Sequence, residues 1–150
     1  MIHLKRTDSS DVDFVLLVKK LDAYLAEVDG DDHSFYDQFN KLDAIKNVVV
    51  AYKDGIAVGC GAMKEFTPQT MEIKRMYTDP TRRGEGFASL ILKELETWAG
   101  ELQYEVCVLE TGTRQAEAIR LYHKLGYKPI ANYGQYAGVA TSLCFEKALV

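Results

Sequence analysis

The stretch 71–100, MEIKRMYTDPTRRGEGFASLILKELETWAG, predicts a strand, a short loop rich in glycine and arginine, and one long amphipathic helix. The run Met71–Thr78 is apolar or β-prone, and Pro80 ends it because proline lacks the N–H that a sheet ladder needs. From Phe87 onward, apolar residues recur at the spacing of one helix face. Gly100 is interpreted as the stop of this helix. We expect the rest of the chain to be organised around this strand–loop–helix unit.

The loop between strand and helix has the composition of an anion site. The backbone N–H groups at a helix start lack intrahelical partners and lie at the positive end of the helix dipole. Gly84 and Gly86 would let the backbone approach a bulky anion, while Arg82 and Arg83 would add charge-assisted donors. The pattern therefore predicts a site for successive phosphates. A tight turn with solvated arginines is the alternative that the spacing leaves open.

Length and composition are those of an ordinary globular chain. The 150 residues suffice for one domain, which we place at 1–150. No apolar run approaches the ~20 residues of a membrane span, and the first residues lack the apolar region of a signal peptide. The net charge is −4 and Lys and Arg do not form a large basic patch, which argues against a nucleic-acid surface. We expect no nucleic-acid partner and no membrane.

The cysteines and the acidic residues give no sign of a metal. Cys60, Cys107 and Cys144 each lie in an apolar, strand-like run, which predicts buried free thiols rather than disulfides or metal ligands. Free thiols fit a reducing cytoplasm, the expected localisation. The acidic segment 29–33 lacks the spacing and the closing glutamate of a calcium loop. We expect no metal.

The remaining pattern predicts a strand meander before the loop and a parallel strand after the long helix. Asp54-Gly55 is the strongest hairpin signal in the chain. Glu105–Glu110 reads as a buried strand that should pair parallel with the central strand through a right-handed crossover. The other expected strands are Ile2–Arg6, Val48–Lys53, Ile56–Lys64, Tyr127–Ile130 and Ser142–Lys147; the other expected helices run from Phe14 to Leu25, near Phe35–Phe39, and from Arg114 to Leu125.

Two motifs resemble signatures of the GNAT N-acetyltransferase superfamily. Arg83-x-x-Gly86-x-Ala88 resembles the family's loop for the acetyl-CoA pyrophosphate. Gln115-x-x-Ala118-Ile119-x-Leu121-Tyr122-x-x-x-Gly126-Tyr127 resembles the second signature, which usually has Asn at the position of Gln115. The resemblance implies an α/β (α+β) GNAT fold, in which a mixed, mostly antiparallel central sheet of about six to seven strands is flanked by about four helices.

The resemblance also implies acetyl-CoA as acetyl donor and assigns roles to single residues. An acceptor amine must lose a proton, since an alkylamine with a pKa near ~10 is almost wholly protonated at pH 7. Glu72 is the candidate base, with Glu110 as runner-up; the backbone N–H of Met76 would stabilise the oxyanion, and Tyr122 would protonate the departing thiolate. The implied cofactor-binding residues are Met76, Tyr77, Thr78, Arg82, Arg83, Gly84, Glu85, Gly86, Phe87, Ala88, Gln115 and Tyr122.

Alternatives stay open for these roles and for the function. Glu72 could be an exposed strand residue paired with Lys74, and Tyr122 could be a core tyrosine. The protein could transfer acetyl groups to an amine of a small molecule or peptide, or it could be a catalytically inactive acyl-CoA-binding sensor of the same fold. A homodimer is compatible with the sequence. Candidates for lining the acceptor cleft are Tyr24, His33, Phe35, Glu110 and Tyr136.

Overall fold

The computed structural model describes residues 1–29 and 44–149, with the side chain of residue 29 left out. Their seven strands form one sheet in the order β1-β2-β3-β4-β5-β7-β6. The strands are β1 Ile2–Thr7, β2 Asn47–Lys53, β3 Ile56–Thr67, β4 Thr70–Thr78, β5 Val106–Gly112, β6 Lys128–Ile130 and β7 Ser142–Ala148; the described α-helices are α1 Val12–Asp29, α2 Phe87–Glu101 and α3 Ala116–Lys124. The short helix expected near Phe35–Phe39 lies outside the described residues.

The pairing confirms the expected mixed, mostly antiparallel sheet. Strands β4 and β5 pair parallel, with Thr70 opposite Val106, and the other neighbours pair antiparallel. The β2–β3 hairpin turns at Asp54 and Gly55, whose φ angles of 51° and 83° suit the tight turn that their sequence predicts. Since β4 leads through α2 to its parallel partner β5, the expected parallel pairing and helical connection are present.

Helices cover both faces of the sheet and form two cores. Alternate residues of β2 point to opposite faces, so Val48 and Val50 pack with α1 while Val49 packs with α2. Phe14, fully buried, contributes to the α1 core. The buried face of α2, led by Ile91, fills the other core, as its periodicity predicts. Within the described residues, no helix is both long and apolar enough to cross a membrane.

Two helix ends differ from expectation. Helix α2 continues through Gly100 to Glu101, and the left-handed residue that follows is Gln103, with φ 72°. Gly100 is therefore not the stop; its carbonyl accepts the N–H of Gln103 at 3.0 Å, which closes the final turn. Helix α1 is capped by Asp11, whose Oδ1 accepts the N–H of Phe14 at 3.2 Å. The carboxylate of Asp11 thus satisfies a first-turn N–H of α1.

A β-bulge in β4 decides which side chains face α1. Ala62 pairs with Lys74 and Cys60 with Tyr77, so Arg75 and Met76 together oppose Gly61. Arg75 has a left-handed φ of 59°. Because of the extra residue, the Arg75 side chain lies toward α1, where its Nη1 donates to Oδ1 of Asp22 at 2.9 Å, while Met76 packs against the α2 core.

Gly61 is required by this packing, and its replacement should destabilise the fold. A Cβ at Gly61 would lie 2.6 Å from Met76 Sδ and 2.9 Å from side-chain carbons of Ile91 and Leu95. We expect Gly61→Ala to lower the free energy of unfolding by about 1–3 kcal/mol in urea denaturation, as overpacking does. Gly100→Ala is the control, since a Cβ there meets nothing within 4 Å and alanine favours the helix. Equal stabilities of the two variants would contradict this packing.

Candidate active site

The parallel strands β4 and β5 separate at the point where the predicted residues gather. They pair from Thr70–Ile73 with Val106–Leu109, and beyond this point the described register between them ends. Strand β5 continues instead with β7 as far as Gly112. The carboxyl half of β4 and the end of β5 therefore form the two sides of an opening, and two cavities lie along it.

The larger cavity has a volume of about 360 Å³ and brings together nearly all predicted cofactor residues. Those lining it are Met76, Tyr77, Thr78, Arg82, Arg83, Gly84, Gly86, Phe87, Ala88, Gln115 and Tyr122. Glu85 is not among the lining residues. Its N–H donates to the carbonyl of Arg82 at 3.4 Å, and its carboxylate accepts from Lys53 Nζ at 2.9 Å. The carboxylate of Glu85 is thus paired with Lys53, although Gly84 and Gly86 on either side of it line the cavity.

The wall made by the loop has the geometry of an anion site. Gly84 and Gly86 both have φ 84°, and a Cβ at either position would meet no atom within 4 Å. Gly86 is the N-cap residue of the 15-residue helix α2 and, as a glycine, has no side chain that could accept a hydrogen bond from the first turn. The N–H groups of the first turn lack intrahelical acceptors, and Phe87 and Ala88 of that turn line the cavity. An anion in this cavity would meet the positive end of the helix dipole.

Arg83 spans the larger cavity between two helices. Its Nη1 lies 3.2 Å from Oε2 of Glu117 in α3, and its guanidinium carbon lies 5.4 Å from the ring centroid of Tyr24 in α1. Because these side chains are 40% and 65% exposed, the Arg83–Glu117 ion pair is weak. A phosphate could replace Glu117 at little cost.

The predicted acceptor residues divide into three groups. Tyr24 lies in the larger cavity beside Arg83, which its sequence position did not reveal because the contact joins distant segments. Glu110 and Tyr136 line the smaller cavity. His33 and Phe35 lie outside the described residues.

The smaller cavity has a volume of about 90 Å³ and is lined by the carboxyl-terminal parts of β4 and β5. It contains the candidate bases Glu72 and Glu110. Four residues line both cavities: Leu21, Met76, Gln115 and Tyr122. The proposed oxyanion donor and the proposed acid therefore lie where the two cavities meet. The smaller cavity is also lined by Arg75, Thr111 and Gly112, for which the sequence alone gives no site assignment.

Glu72 is buried and hydrogen-bonded rather than exposed. Its residue surface is only 8% exposed, and its Oε2 accepts the hydroxyl hydrogen of Tyr133 at 2.8 Å. The pKa of Tyr133 is raised by burial and by the negative charge of Glu72, so the hydroxyl stays protonated and donates. Oε1 of Glu72 lies 3.7 Å from Lys74 Nζ. The ion pair with Lys74 is present, yet the carboxylate faces the cavity instead of solvent.

Tyr122 is held as a protonated hydroxyl between the cavities. Burial, and then the charge of Glu110, raise its pKa above the ordinary value of 10.0. Its ring packs against Tyr127 at 5.9 Å and Phe145 at 6.1 Å between centroids. The ring thus belongs to the core, as the alternative interpretation expected, while the residue also lines both cavities.

Gln115 occupies the N-cap of α3 but makes no side-chain capping hydrogen bond. Asparagine, which the family pattern usually has here, is a preferred N-cap residue because its short amide can reach the first turn. The longer amide of Gln115 is not used in that way, and the residue lines both cavities. Its position fits a contact with a ligand that passes from one cavity to the other.

Nucleophilic cysteine chemistry has no support in the site. Cys60, Cys107 and Cys144 are free and buried, as the sequence predicts. Burial raises the pKa of Cys60 and of Cys107 to about 12, so neither thiol is ionised near neutral pH. Among residues 1–29 and 44–149, no three His, Cys, Asp or Glu side chains form a group that could hold a metal ion.

The glycine-rich loop at the start of α2, the opening between β4 and β5 and the two adjoining cavities are the features that the comparisons with known proteins interpret. The chain belongs to the acetyltransferase (GNAT) family, whose model matches residues 16–127. An Azospirillum brasilense protein named IAA acetyltransferase is 33% identical over 137 residues, which are 90% of this chain and 90% of that protein.

Solved structures share the fold over the whole chain. A Klebsiella pneumoniae protein assigned as an acyl-CoA N-acyltransferase matches with a TM-score of 0.85 and 29% identity, covering 100% of this chain and 99% of its own. A Salmonella typhimurium protein assigned as an acetyltransferase, solved with its cofactor acetyl-CoA, matches with a TM-score of 0.71 and 19% identity, covering 100% and 95% of the two chains. At that identity, the Salmonella structure shows the common fold alone.

Proposed function

We propose that the protein is an acetyl-CoA-dependent N-acetyltransferase that transfers the acetyl group directly to an amine of a small molecule or peptide, within a single domain over residues 1–150. One observation carries the proposal: the large cavity, with its anion loop, meets the small cavity, with its carboxylates, at Met76, Gln115 and Tyr122. A donor in one cavity and an acceptor in the other would place the reacting atoms at this junction. Membership of the acetyltransferase family supports this assignment of the cavities.

The residues of the larger cavity fit the charge of the donor. The first-turn N–H groups of α2 and the open backbone at Gly84 and Gly86 would bind the pyrophosphate. Arg83 would exchange its weak pair with Glu117 for a phosphate oxygen. The Salmonella relative of the same fold was solved with acetyl-CoA, which supports the same ligand here. Acetyl-CoA supplies a thioester carbonyl that a neutral amine can attack.

The junction residues have the groups that direct transfer requires. Glu72, directly or through water, would take the proton that the amine loses as its nitrogen bonds to the carbonyl carbon. The N–H of Met76, at the bulge where β4 leaves its regular register, would stabilise the oxyanion. As the carbon–sulfur bond breaks, the hydroxyl of Tyr122 would donate its hydrogen bond and proton to the thiolate. No acyl-cysteine intermediate is needed.

Substitutions in the loop should weaken donor binding before they affect chemistry. In Gly86→Val the side chain would project into the space assigned to the pyrophosphate, and we expect acetyl-CoA affinity in titration calorimetry to fall at least ~10-fold. Arg83→Ala should lose about 3–10-fold, less than a buried charged hydrogen bond because the guanidinium is partly exposed.

Gly55→Val is the matched control for backbone strain. Gly55 has φ 83° and open space around its Cβ position, like Gly86, but it lies in the β2–β3 turn and lines neither described cavity. Both valine variants should lose similar stability, while only Gly86→Val should lose affinity. Unchanged affinity in Gly86→Val would show that the loop does not bind the donor.

A further inference from the structure

The smaller cavity contains a buried cation whose hydrogen bonding is incomplete. The Arg75 side chain is only 3% exposed and lies in the lining of this cavity. Its Nη1 donates to Asp22 at 2.9 Å, whereas its Nη2 is buried and has no hydrogen-bond partner among the described residues. A buried polar group without a partner costs free energy, more so when it is charged, so native structures usually supply one.

Lys74 and Asp22 differ from Arg75 in their pairing and in their exposure to water. Lys74 also lines the cavity, but its Nζ lies 3.7 Å from Oε1 of Glu72. Asp22 accepts a hydrogen bond from one arm of the guanidinium. Its side chain is 40% exposed, so water screens its charge. Arg75 differs from Lys74 in that it has a buried guanidinium nitrogen without a hydrogen-bond partner among the described residues. Glu72 and Glu110 supply the negative charges of the same lining.

We propose that the acceptor is a compact amino acid, whose carboxylate binds Arg75 while its amine faces Glu72 and Glu110. This inference rests on the proposed function and names the acceptor class of that site. The ammonium group of the amino acid would face the carboxylates of the lining, and its carboxylate would face the guanidinium of Arg75. One carboxylate oxygen would accept the hydrogen bond that Nη2 can donate. The small volume, about 90 Å³, favours an acceptor with few heavy atoms. The ammonium group loses one proton to solvent and a second to Glu72 as its nitrogen bonds to the thioester carbonyl carbon. The carbon–sulfur bond then breaks, and CoA departs as the thiol after taking a proton from Tyr122.

Matched acceptors test the proposal on the unmodified protein. Glycine, β-alanine and serine would each be compared with the corresponding primary amide at saturating acetyl-CoA, with thiol release as the readout. Since an amide lowers the pKa of the neighbouring amine, kcat/KM would be measured from pH 6 to 10 and expressed per neutral amine. We expect the carboxylate member to be better by about 10–100-fold in at least one pair. Amides that react as well as the acids in all pairs would overturn the proposal.

Variants at Arg75 test whether this residue carries the preference. In Arg75→Gln the ratio of acid to amide should approach one, and Arg75→Lys should keep only part of it because lysine lacks the guanidinium fork. Both keep a side chain with Cβ at φ 59°, so the backbone strain is unchanged. Lys93→Gln removes a cation from the exposed side of α2 and should keep the full ratio. Acetyl-CoA affinity reports folding of each variant, and a folded Arg75→Gln with the full ratio would refute the assignment.

Binding measurements distinguish a failure of the amino-acid site from a failure of the proposed acetyl transfer. If acetyl-CoA binds but no amine in the panel is acetylated, direct N-acetyl transfer to these amines fails. The same acids and amides would then be titrated calorimetrically into the protein saturated with CoA. We still expect at least one acid to bind about 10-fold more tightly than its amide, and less so in Arg75→Gln. Equal affinity of acid and amide throughout would overturn the amino-acid site itself.

Discussion

Tyr122→Phe is expected to lower kcat by about 10²–10⁴-fold, the usual contribution of general acid catalysis, with nearly unchanged KM for acetyl-CoA. The substitution removes the hydroxyl at the junction of the cavities but keeps the ring that packs against Tyr127 and Phe145. Burial and Glu110 raise the pKa of this tyrosine, so its hydroxyl does not ionise between pH 6 and 9. The loss should therefore be the same across that range.

Tyr104→Phe provides a matched control for this variant. It also removes one tyrosine hydroxyl, but that hydroxyl donates to Glu65 at the surface, away from both cavities. Its kcat should stay close to that of the unmodified protein. If Tyr122→Phe were equally active, the acid role would be wrong and Tyr122 would be a core residue only.

Glu72→Gln is expected to lower kcat/KM by about 10²–10⁴-fold near pH 7 and to recover as the pH rises. Without the base, only the neutral fraction of the amine reacts, and this fraction grows tenfold per pH unit until the amine pKa near ~10. The glutamine carbonyl can still accept the hydrogen bond from Tyr133, so the local packing should survive. We would measure kcat/KM for the best acceptor from pH 6 to 10.

Glu110→Gln should be compared in the same assay, because Glu110 lines the same cavity. Recovery at high pH in Glu72→Gln, absent from Tyr122→Phe, would separate the base from the acid. A Glu72→Gln profile parallel to that of the unmodified protein would instead transfer the role of base to Glu110 or to ordered water.

Local sequence patterns predicted most of the fold. The periodicity of α2, the Asp54-Gly55 turn and the apolar run of β5 each depend on neighbouring residues, so they could be interpreted without the structure. The loop motif could be recognised for the same reason, since its glycines and helix N-terminus are contiguous in the chain. The last residue of α2 is not determined by the local pattern, because any of several residues can close a final helical turn.

Long-range geometry explains what the sequence did not predict. Arg75 was overlooked because strict alternation along β4 does not account for a bulge that turns its side chain toward α1. Gly61 is the available sequence signal, since a glycine inside a strand marks a bulge or a close approach. The structure has the bulge of β4 opposite Gly61 and close contacts around its Cβ position. The contact of Tyr24 with Arg83 could not be predicted because it joins α1 to a distant loop. The burial of Glu72 likewise depends on Tyr133, from the segment before β7.

Release of CoA thiol in the presence of an amine tests the central claim most directly. Acetyl-CoA, the protein and each candidate acceptor would be combined, with thiol followed continuously and the product identified by mass spectrometry. We predict that thiol release requires both the protein and an amine, and that it matches the N-acetylated product in amount. Saturable acetyl-CoA binding with no acceptor-dependent thiol across a broad panel of amines would contradict the account and indicate a protein that binds the acyl donor without transferring it.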